Sequence, residues 1–592
     1  MTAGESGAPP ARGSGALGSW RNAELVLYVL AVLAGAIAAL GAIAFRWLIG
    51  FVQQLGFGTS GDNLATPAAA LPWWQVLAAP TIGGLAVGLF IHYVMPGRRP
   101  QGVADVIEAA GFKGGQMSLR DGLFAALASG VSLGAGASVG REGPVVHLGA
   151  SIGSWVASRL GLSRARTLTL LGCGVASAVA ASFNAPIAGV FFAHEVVLGH
   201  YAASAFAPVV IASVVGTAIS RLYYGDFPAF IVPHFGTMHD WEFGLFVIVG
   251  VLGAGAALLF LYGTQAMQRV AGLLPGPAWV RPAVGGLLVG AIGIGSPYVL
   301  GVGYEAADQA LKSQLPLAVL AAVLVAKLVA TSISHGFGLS GGVFSPALVI
   351  GAMLGGLVGA LAGDLWPGAT AAVGNYAMVG MGGVAAAVLG APVSTTLMMF
   401  ELTSDYRMTI AVMVAAAVAS VIVRQTRHAS FFTWQLERIG VQLTGGRERR
   451  LLRAERIDKL MARDYAATGP ETRGAELVQR LATAPGGMLF VVDGERRLLG
   501  VIAVGGANDA LFDTSRAEPA SAAEIMRPPT ALEAGQDLET ALAAFERAQE
   551  SLLAVVESRE RMTMVGALHE RHVRLAYERL LLQARREEQG EA

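Results

Sequence analysis

Cysteine and charged residues are both scarce in this sequence. Cys173 is the one cysteine among 592 residues, so neither a disulfide framework nor a cysteine-rich metal site is expected. Charged residues make up 14% of the chain, well below the share in a soluble domain, and the formal net charge is zero. We therefore expect no nucleic-acid partner and no metal cofactor.

The motifs of two enzyme classes are also missing. His194 and Glu195 begin an H-E-x-x-H metalloprotease motif, but position 198 is leucine, so the second histidine is absent. No P-loop occurs in the sequence. Acidic residues are scattered rather than clustered in the apolar part of the chain, which disfavours a divalent-cation pathway. We do not expect an enzyme, and a cation transporter is only a remote alternative.

Long apolar runs dominate what is present. Hydrophobic residues account for 54% of the chain. Most of the longest runs have the length needed to cross a bilayer: Leu25–Phe45, Trp74–Met95, Phe243–Leu261, Leu317–Ala330 and Met408–Val423. No signal peptide precedes them, since the first twenty residues are polar and rich in Gly, Ser and Ala. The pattern predicts a polytopic α-helical membrane protein, and a bacterial inner membrane is the expected location.

Charged residues become frequent after the end of the apolar part. From about Arg447 onward the chain is charged and soluble in character. We predict a disordered cytoplasmic tail over 1–20, a membrane domain over 21–440, a polar linker over 441–455 and a soluble domain over 456–592. The arginines of the linker follow the last apolar run, and this favours the cytoplasmic side for the soluble domain by the positive-inside rule.

The soluble domain contains an internal repeat. Residues 486–504 and 551–570 each pair two short β-type runs across a charged turn, and each follows a helical stretch. This α/β plan, given twice, resembles a pair of CBS domains, and "EIMRPP" at 524–529 resembles the usual entry to the second copy.

The resemblance to CBS pairs implies adenine nucleotide as a candidate ligand. Members that bind it use a Ser or Thr and an Asp after the second strand. Here Asp509 is displaced in the first copy, and His569 and His572 stand at those positions in the second. A structural or dimer-bracing role is therefore favoured over nucleotide binding.

Glycine and proline interrupt the apolar part at five places: 97–111, 136–149, 182–192, 336–347 and 389–397. Broken helices at bilayer depth are tolerated where they are buried in protein or line a water-filled cavity. A helix that begins after such a break presents unpaired N–H groups and attracts anions. Each break alone is better explained by close packing or a kink. Together they predict a weak anion site of the kind that permeation requires.

One of these breaks, "GREGP" at 140–144, contains a charged pair. Charges at bilayer depth usually mark an ion or substrate pathway. Together with "GGVFSP" at 341–346, "FNAPIAGVFF" followed by Glu195, and "ELTSDYRMTI" at 401–410, this motif resembles the CLC chloride channels and chloride/proton antiporters. The likeness runs in order from about residue 21 to 440.

The CLC resemblance implies a homodimer with one anion pathway in each subunit, and each membrane domain built from two inverted repeats of tilted and broken helices. The expected substrate is chloride or another small anion, possibly exchanged for protons. The positions that it assigns to anion binding are Gln101, Gly102, Gly140, Arg141, Gly143, Pro144, Val343, Phe344 and Phe432.

Glu142 is the predicted gate, the side chain that closes the pathway. An ionised carboxylate is itself an anion, and it can occupy the position of a chloride ion on the same backbone amides. Burial favours its neutral form. Once protonated, it loses its attraction for the site and should swing out. The alternative is a static salt bridge with Arg141.

Two positions depart from the family pattern. Gln101 replaces the usual serine, and its amide still donates a hydrogen bond but is longer and carries an acceptor oxygen. Phe432 replaces the usual tyrosine and has no hydroxyl, with Phe431 as the other alignment. Nitrate and fluoride therefore stay open as preferred anions.

A third departure concerns protons. Antiporters carry an inner glutamate directly after the residue equivalent to Glu195, and here Val196 occupies that position. Since valine cannot carry a proton, passive channel-like conduction is favoured. The alternative is a chloride/proton antiporter with a non-standard proton path through water, Glu195 or His194.

Overall fold

The chain is described by a computed structural model, which covers residues 15–226, 230, 239–367, 370–427, 430–438, 441, 452–453, 455–504 and 519–589. It divides into two compact units, Met1–Gln442 and Leu443–Ala592. The division falls at the predicted linker 441–455, most of which lies outside these ranges, as does Asp509.

The first unit is helical. Its helices are α1 Gly15–Phe57, α2 Ala65–Ala69, α3 Trp73–Tyr93, α4 Val103–Phe112, α5 Leu119–Gly134, α6 Glu142–Arg159, α7 Arg164–Phe183, α8 Pro186–Phe192, α9 Ala203–Tyr224, α10 Phe243–Leu273, α11 Arg281–Gly295, α12 Tyr304–Leu311, α13 Leu317–Gly336, α14 Phe344–Leu365, α15 Val373–Leu389, α16 Pro392–Thr403, α17 Tyr406–Arg427 and α18 Phe431–Arg438. A π-helical segment, Ala193–Leu198, extends α8.

Within the described ranges, nine helices are long and apolar enough to cross a membrane. They contain the five predicted runs, except that α3 ends at Tyr93 and leaves out Val94 and Met95. Pro96 follows, and a proline disfavours helical backbone in the residue before it.

The amino end of α1 differs from the prediction. Residues 15–20, assigned above to a disordered tail, belong to α1, while residues 1–14 lie outside the described ranges. Alanine and leucine at positions 16 and 17 are strong helix formers and continue directly into the apolar run.

A helix begins at each of the five predicted breaks, at Val103, Glu142, Pro186, Phe344 and Pro392. The two prolines stand at the first helical position, where the missing N–H costs no intrahelical bond. The prediction that glycine and proline split the apolar segments into helices with new amino ends is confirmed.

Two stretches of the first unit repeat the same plan. Helix α6 packs on α7, and α14 packs on α15, each pair through glycines. A Cβ atom on Gly174 would lie 1.9 Å from the Gly149 carbonyl oxygen, and one on Gly351 would lie 2.2 Å from that of Gly380. Only glycine allows helices to approach so closely. The two helix pairs packed in the same way agree with the predicted internal repeat of the membrane domain.

The second unit contains two three-stranded sheets. One consists of β1 Ala467–Thr468, β2 Met488–Val492 and β3 Leu498–Ala503, and the other of β4 Ala531–Glu533, β5 Leu552–Val556 and β6 Met564–His569. In each, the first two strands are parallel and the last two antiparallel, with an irregular register at the end of the middle strand. The predicted internal repeat is confirmed.

Within the described part of this unit, four helices accompany the sheets: α19 Gly474–Thr483, α20 Ala522–Ile525, α21 Leu538–Ala548 and α22 Glu570–Gln589. The two copies share one hydrophobic core, in which Phe490 and Val501 of the first pack with Leu552 and Ala567 of the second. Neither copy buries its apolar sheet face alone, so they form a single α/β unit.

Candidate functional site

Two loops meet where α6 and α14 begin. The Gly140 N–H donates to the Gly342 carbonyl at 2.6 Å, and the Gly342 N–H donates back at 2.7 Å. A Cβ atom on Gly342 would lie 2.7 Å from the Gly143 nitrogen, so this approach requires glycine. The paired glycines hold the amino ends of two buried helices side by side.

The Glu142 side chain crosses from α6 to the amino end of α14. It is buried, with 5% of its surface exposed. Its Oε1 accepts a hydrogen bond from the Tyr304 hydroxyl at 2.9 Å, and its Oε2 accepts one from the Ser345 N–H at 3.3 Å. The Ser345 hydroxyl also bonds Oε1. Because unpaired N–H groups and the helix dipole favour negative charge at this end, the carboxyl occupies an anion position.

Arg141 is tied mainly to Asp62. Its Nη1 lies 2.9 Å from the Asp62 carboxylate, whereas its Nε lies 3.9 Å from Glu142. Asp62 also pairs with Arg46 at 2.8 Å. Burial alone raises the pKa of Asp62, but the two guanidinium groups outweigh it, so the pKa of Asp62 is lowered and the carboxylate stays ionised. The contacts of Arg141 therefore favour a pair with Asp62 over the static Arg141–Glu142 bridge.

Three cavities are described in this region, named here the first vestibule, the small cavity and the second vestibule. The first vestibule is lined by Arg46, Asp62 and Arg141, among others. The small cavity lies against Glu142, Gly143, Val343, Phe344 and Phe432. The second vestibule shares Gly143, Val343 and Phe432 with the small cavity. Glu142 lines the small cavity, and its neighbour Arg141 lines the first vestibule.

The predicted anion-binding residues separate into three groups. Gly143, Val343, Phe344 and Phe432 line the small cavity. Gln101 and Gly102 line only the second vestibule, and the buried Gln101 Oε1 has no hydrogen-bond partner among the described residues. The other three lie beside the cavity rather than on it: Gly140 in the paired loops, Arg141 on the first vestibule, and Pro144 in the first turn of α6.

The two aromatic candidates at the end of the first unit differ in position. Phe431 stacks on Phe260, with ring centroids 5.6 Å apart and an interplanar angle of 14°, and lines the second vestibule. Phe432 lines both the second vestibule and the small cavity. Of the two, Phe432 is the one that lines the small cavity, as expected of an anion-binding residue.

The second vestibule is basic. Four arginines line it, Arg98, Arg99, Arg281 and Arg438, together with Asp105, which pairs with Arg99 at 2.5 Å. Among the described residues that line this vestibule, one carboxylate faces four guanidinium groups, and the surplus positive charge attracts anions to it.

The three proton-path candidates lie apart from these cavities, in the π-helical segment. The Glu195 carboxylate accepts hydrogen bonds from the Val393 and Ser394 N–H groups at 3.0 and 2.7 Å, and so caps α16. His194 is buried, bonds the His200 carbonyl through Nδ1 at 2.9 Å and stacks on Tyr201. Val196 is half-buried. Such π-helical turns are frequent at functional sites.

Three residues in contact with Glu142 or Arg141 were not predicted from the sequence: Tyr304, Ser345 and Asp62. Ser345 belongs to the "GGVFSP" motif, so its position next to Glu142 could have been inferred. Tyr304 and Asp62 belong to no motif. A pair of glycines before Tyr304, Gly301 and Gly303, both with positive φ, is its one local signal.

Comparison with known proteins gives consistent matches. The profile of a family described as voltage gated chloride channel matches residues 83–424. A putative chloride channel protein, ClcB-like, of Ralstonia nicotianae is 36% identical over 70% of this chain and 97% of its own. The voltage-gated ClC-type chloride channel ClcB of Citrobacter koseri is 31% identical over 68% and 97%.

Solved structures share the fold at lower identity. A slow cyanobacterial Cl⁻/H⁺ antiporter has a TM-score of 0.62 and 22% identity, over 70% of this chain and 97% of its own. A eukaryotic CLC transporter has a TM-score of 0.60 and 19% identity, over 93% and 98%. A CLC-type fluoride/proton antiporter has a TM-score of 0.59 and 21% identity, over 69% and 98%. Proteins named as channels and as antiporters therefore both resemble this chain.

Proposed function

The chain belongs to the CLC family of chloride transport proteins, and from that premise we propose that it conducts chloride passively through a pathway gated by Glu142. One observation carries the proposal: a buried carboxyl group sits at the amino end of α14 and lines the small cavity there. An acid in that position blocks the pathway and can be displaced by the ion it imitates.

The gating step follows from charge. While Glu142 is ionised, it is stabilised by the Ser345 N–H, the hydroxyl groups of Tyr304 and Ser345, and the dipole of α14. Protonation removes the charge that these groups favour, so a chloride ion becomes the better occupant. External acid should therefore open the pathway.

Passive conduction is supported by the groups around Val196. Valine has no titratable atom, and both Glu195 oxygens already accept hydrogen bonds from α16. A proton arriving at Glu195 would weaken this cap. The antiporter alternative draws on the neighbouring structures named as antiporters and on His194, whose Nε2 is buried without a partner among the described residues.

We further propose that the second unit is a CBS pair on the cytoplasmic side of a homodimer in a bacterial inner membrane. The repeated sheets and the shared core support the pair. The rings of His569 and His572 lie 5.2 Å apart where a hydroxyl and a carboxylate would hold a nucleotide. Burial first, and then His572 and Arg571, lower the pKa of His569. This surface therefore favours a structural role.

The test is chloride efflux from liposomes containing the full-length protein, with the lumenal pH recorded. We expect chloride efflux that needs a potassium ionophore for charge balance and that moves no protons uphill. Uphill proton movement driven by a chloride gradient would overturn passive conduction in favour of antiport. Parallel runs with nitrate and fluoride determine the preferred anion, which Gln101 and Phe432 leave open.

A further inference from the structure

Tyr304 touches the gate from a distant part of the chain. It is the first residue of α12 and is buried, with 3% of its surface exposed. Its hydroxyl lies 2.9 Å from Glu142 Oε1 and 3.0 Å from the Ser345 hydroxyl. The side chain thus joins the gate to the first turn of α14.

The ring of Tyr304 is held on several sides. The Arg141 guanidinium lies 4.9 Å from its centroid, and the Phe230 ring packs against it at 4.6 Å. The loop before it is fixed by Lys327, whose Nζ donates to the Val299 and Gly301 carbonyls at 3.0 and 2.9 Å. The hydroxyl therefore stays in place whether or not the gate carboxyl is present.

An ionised carboxylate is a much better acceptor for a tyrosine hydroxyl than a neutral carboxylic acid. When the carboxyl leaves, the Ser345 hydroxyl offers the tyrosine a second acceptor at 3.0 Å, so the Tyr304 donor keeps a partner. The Ser345 O–H and N–H, which also donated to the carboxylate, are then left for the anion that replaces it. The bond therefore favours the closed, ionised state and costs little to release.

We propose that Tyr304 is a latch, a positioning residue that holds Glu142 closed and sets the external pH at which the pathway opens. The inference rests on the proposed gating by Glu142. The charged group nearest the carboxyl is Arg141, at 3.9 Å. Other titratable side chains on elements around it are Asp62, Arg46, Tyr224, Asp105, His147 and Lys327. All are unchanged in the variants below.

The test compares the pH dependence of chloride efflux for the wild type and Tyr304→Phe in liposomes. Loss of a hydrogen bond to a charged acceptor favours the protonated gate by roughly tenfold. We expect the pH of half-maximal efflux to rise by about one unit. The matched control is Tyr298→Phe, since the Tyr298 hydroxyl donates instead to Gln309 at 2.8 Å and its loss should leave the midpoint unchanged.

Two further variants make the result decisive. Replacing Tyr304 by 3-fluorotyrosine keeps the side-chain shape and strengthens the hydroxyl donor, so the midpoint should fall. When Glu142 is already replaced by glutamine, adding Tyr304→Phe should cause no further change in chloride efflux or in its dependence on external pH. A midpoint that stays at the wild-type value in both Tyr304 variants, while Glu142→Gln abolishes pH dependence, overturns the latch alone. Retained pH dependence in Glu142→Gln overturns the gate itself.

Discussion

Glu142 and Glu195 are both carboxylates at the amino end of a helix, and the surroundings of the two differ. Glu195 gives one oxygen to each of two α16 amides, and Glu401 caps α8 in the same way, through the Ile187 and Ala188 amides at 2.8 and 2.7 Å. Glu142 accepts from a single amide, at 3.3 Å, and its other partners are hydroxyl groups.

The second difference is space. Glu142 lines the small cavity, whereas neither Glu195 nor Glu401 lines any of the three cavities described above. A carboxylate that is bonded to two amides of one helix and lines none of these cavities is a static cap. One bonded to a single amide beside a cavity can be exchanged for an ion. Contacts and space, rather than residue type, separate the proposed gate from the caps.

The largest effect should come from Glu142→Gln. Glutamine cannot ionise, so it should not compete with chloride at α14. We expect chloride efflux at pH 7.5 to rise by about tenfold or more and to lose its dependence on external pH. Glu195→Gln is the matched control, and its efflux should keep the wild-type pH profile. A normal pH profile in Glu142→Gln would break the comparison.

Substitution of Glu195 should lower the stability of the protein more than substitution of Glu142, which is the reverse of the order expected for efflux. Glu195→Ala leaves two helix amides without their acceptor, which we expect to cost about 2 kcal/mol. Glu142→Ala removes the acceptor of one amide and should cost roughly half as much by the same reasoning. Thermal unfolding of the two variants in detergent measures the difference. A greater loss in Glu142→Ala than in Glu195→Ala would mean that Glu142 is the more structural of the two.

Asp62→Asn should shift gating in the direction opposite to Tyr304→Phe. The lowered pKa of Asp62 keeps it ionised throughout the assay range, so only substitution neutralises it. Without Asp62, the charge of Arg141 is less compensated and stabilises ionised Glu142 more strongly. The pH of half-maximal efflux should fall by about half a unit. A rise in that midpoint would exclude Arg141 as the electrostatic link between Asp62 and the gate.

The smallest effect should be seen at the mouth of the second vestibule. Arg98 is exposed there, and Arg98→Gln removes one attracting charge. We expect efflux to fall by less than about twofold at low salt and to recover at high salt, because salt screens exposed charges. Arg120→Gln, an exposed arginine on α5, is the control and should show no change. An equal loss at all salt concentrations would exclude steering.

Much of this fold could be predicted because glycine and proline act locally. Helix starts at Glu142, Phe344 and Pro392 follow from breaks in apolar runs, and the repeated sheets of the second unit follow from alternating short β runs. The position of Glu142 at a helix end could therefore be predicted from the sequence. Its acceptance of a bond from α14 was expected only through the family resemblance.

The missed contacts join distant parts of the chain. Tyr304 reaches Glu142 across 162 positions, and Glu195 reaches Val393 across 198. No periodicity or local propensity encodes such pairs, because they depend on how the two repeats pack. For this reason the sequence indicates Glu195 only as a candidate proton carrier, and the geometry is needed to identify it as a helix cap.

Anomalous diffraction from bromide-soaked crystals tests the central claim most directly. At neutral pH, Glu142→Gln should show a bromide peak at the amino end of α14, within hydrogen-bond distance of the Ser345 N–H, while the wild type shows the carboxyl group and no peak there. A bromide ion in that place beside an undisplaced Glu142 carboxyl, or no bromide there in the variant, would contradict the account.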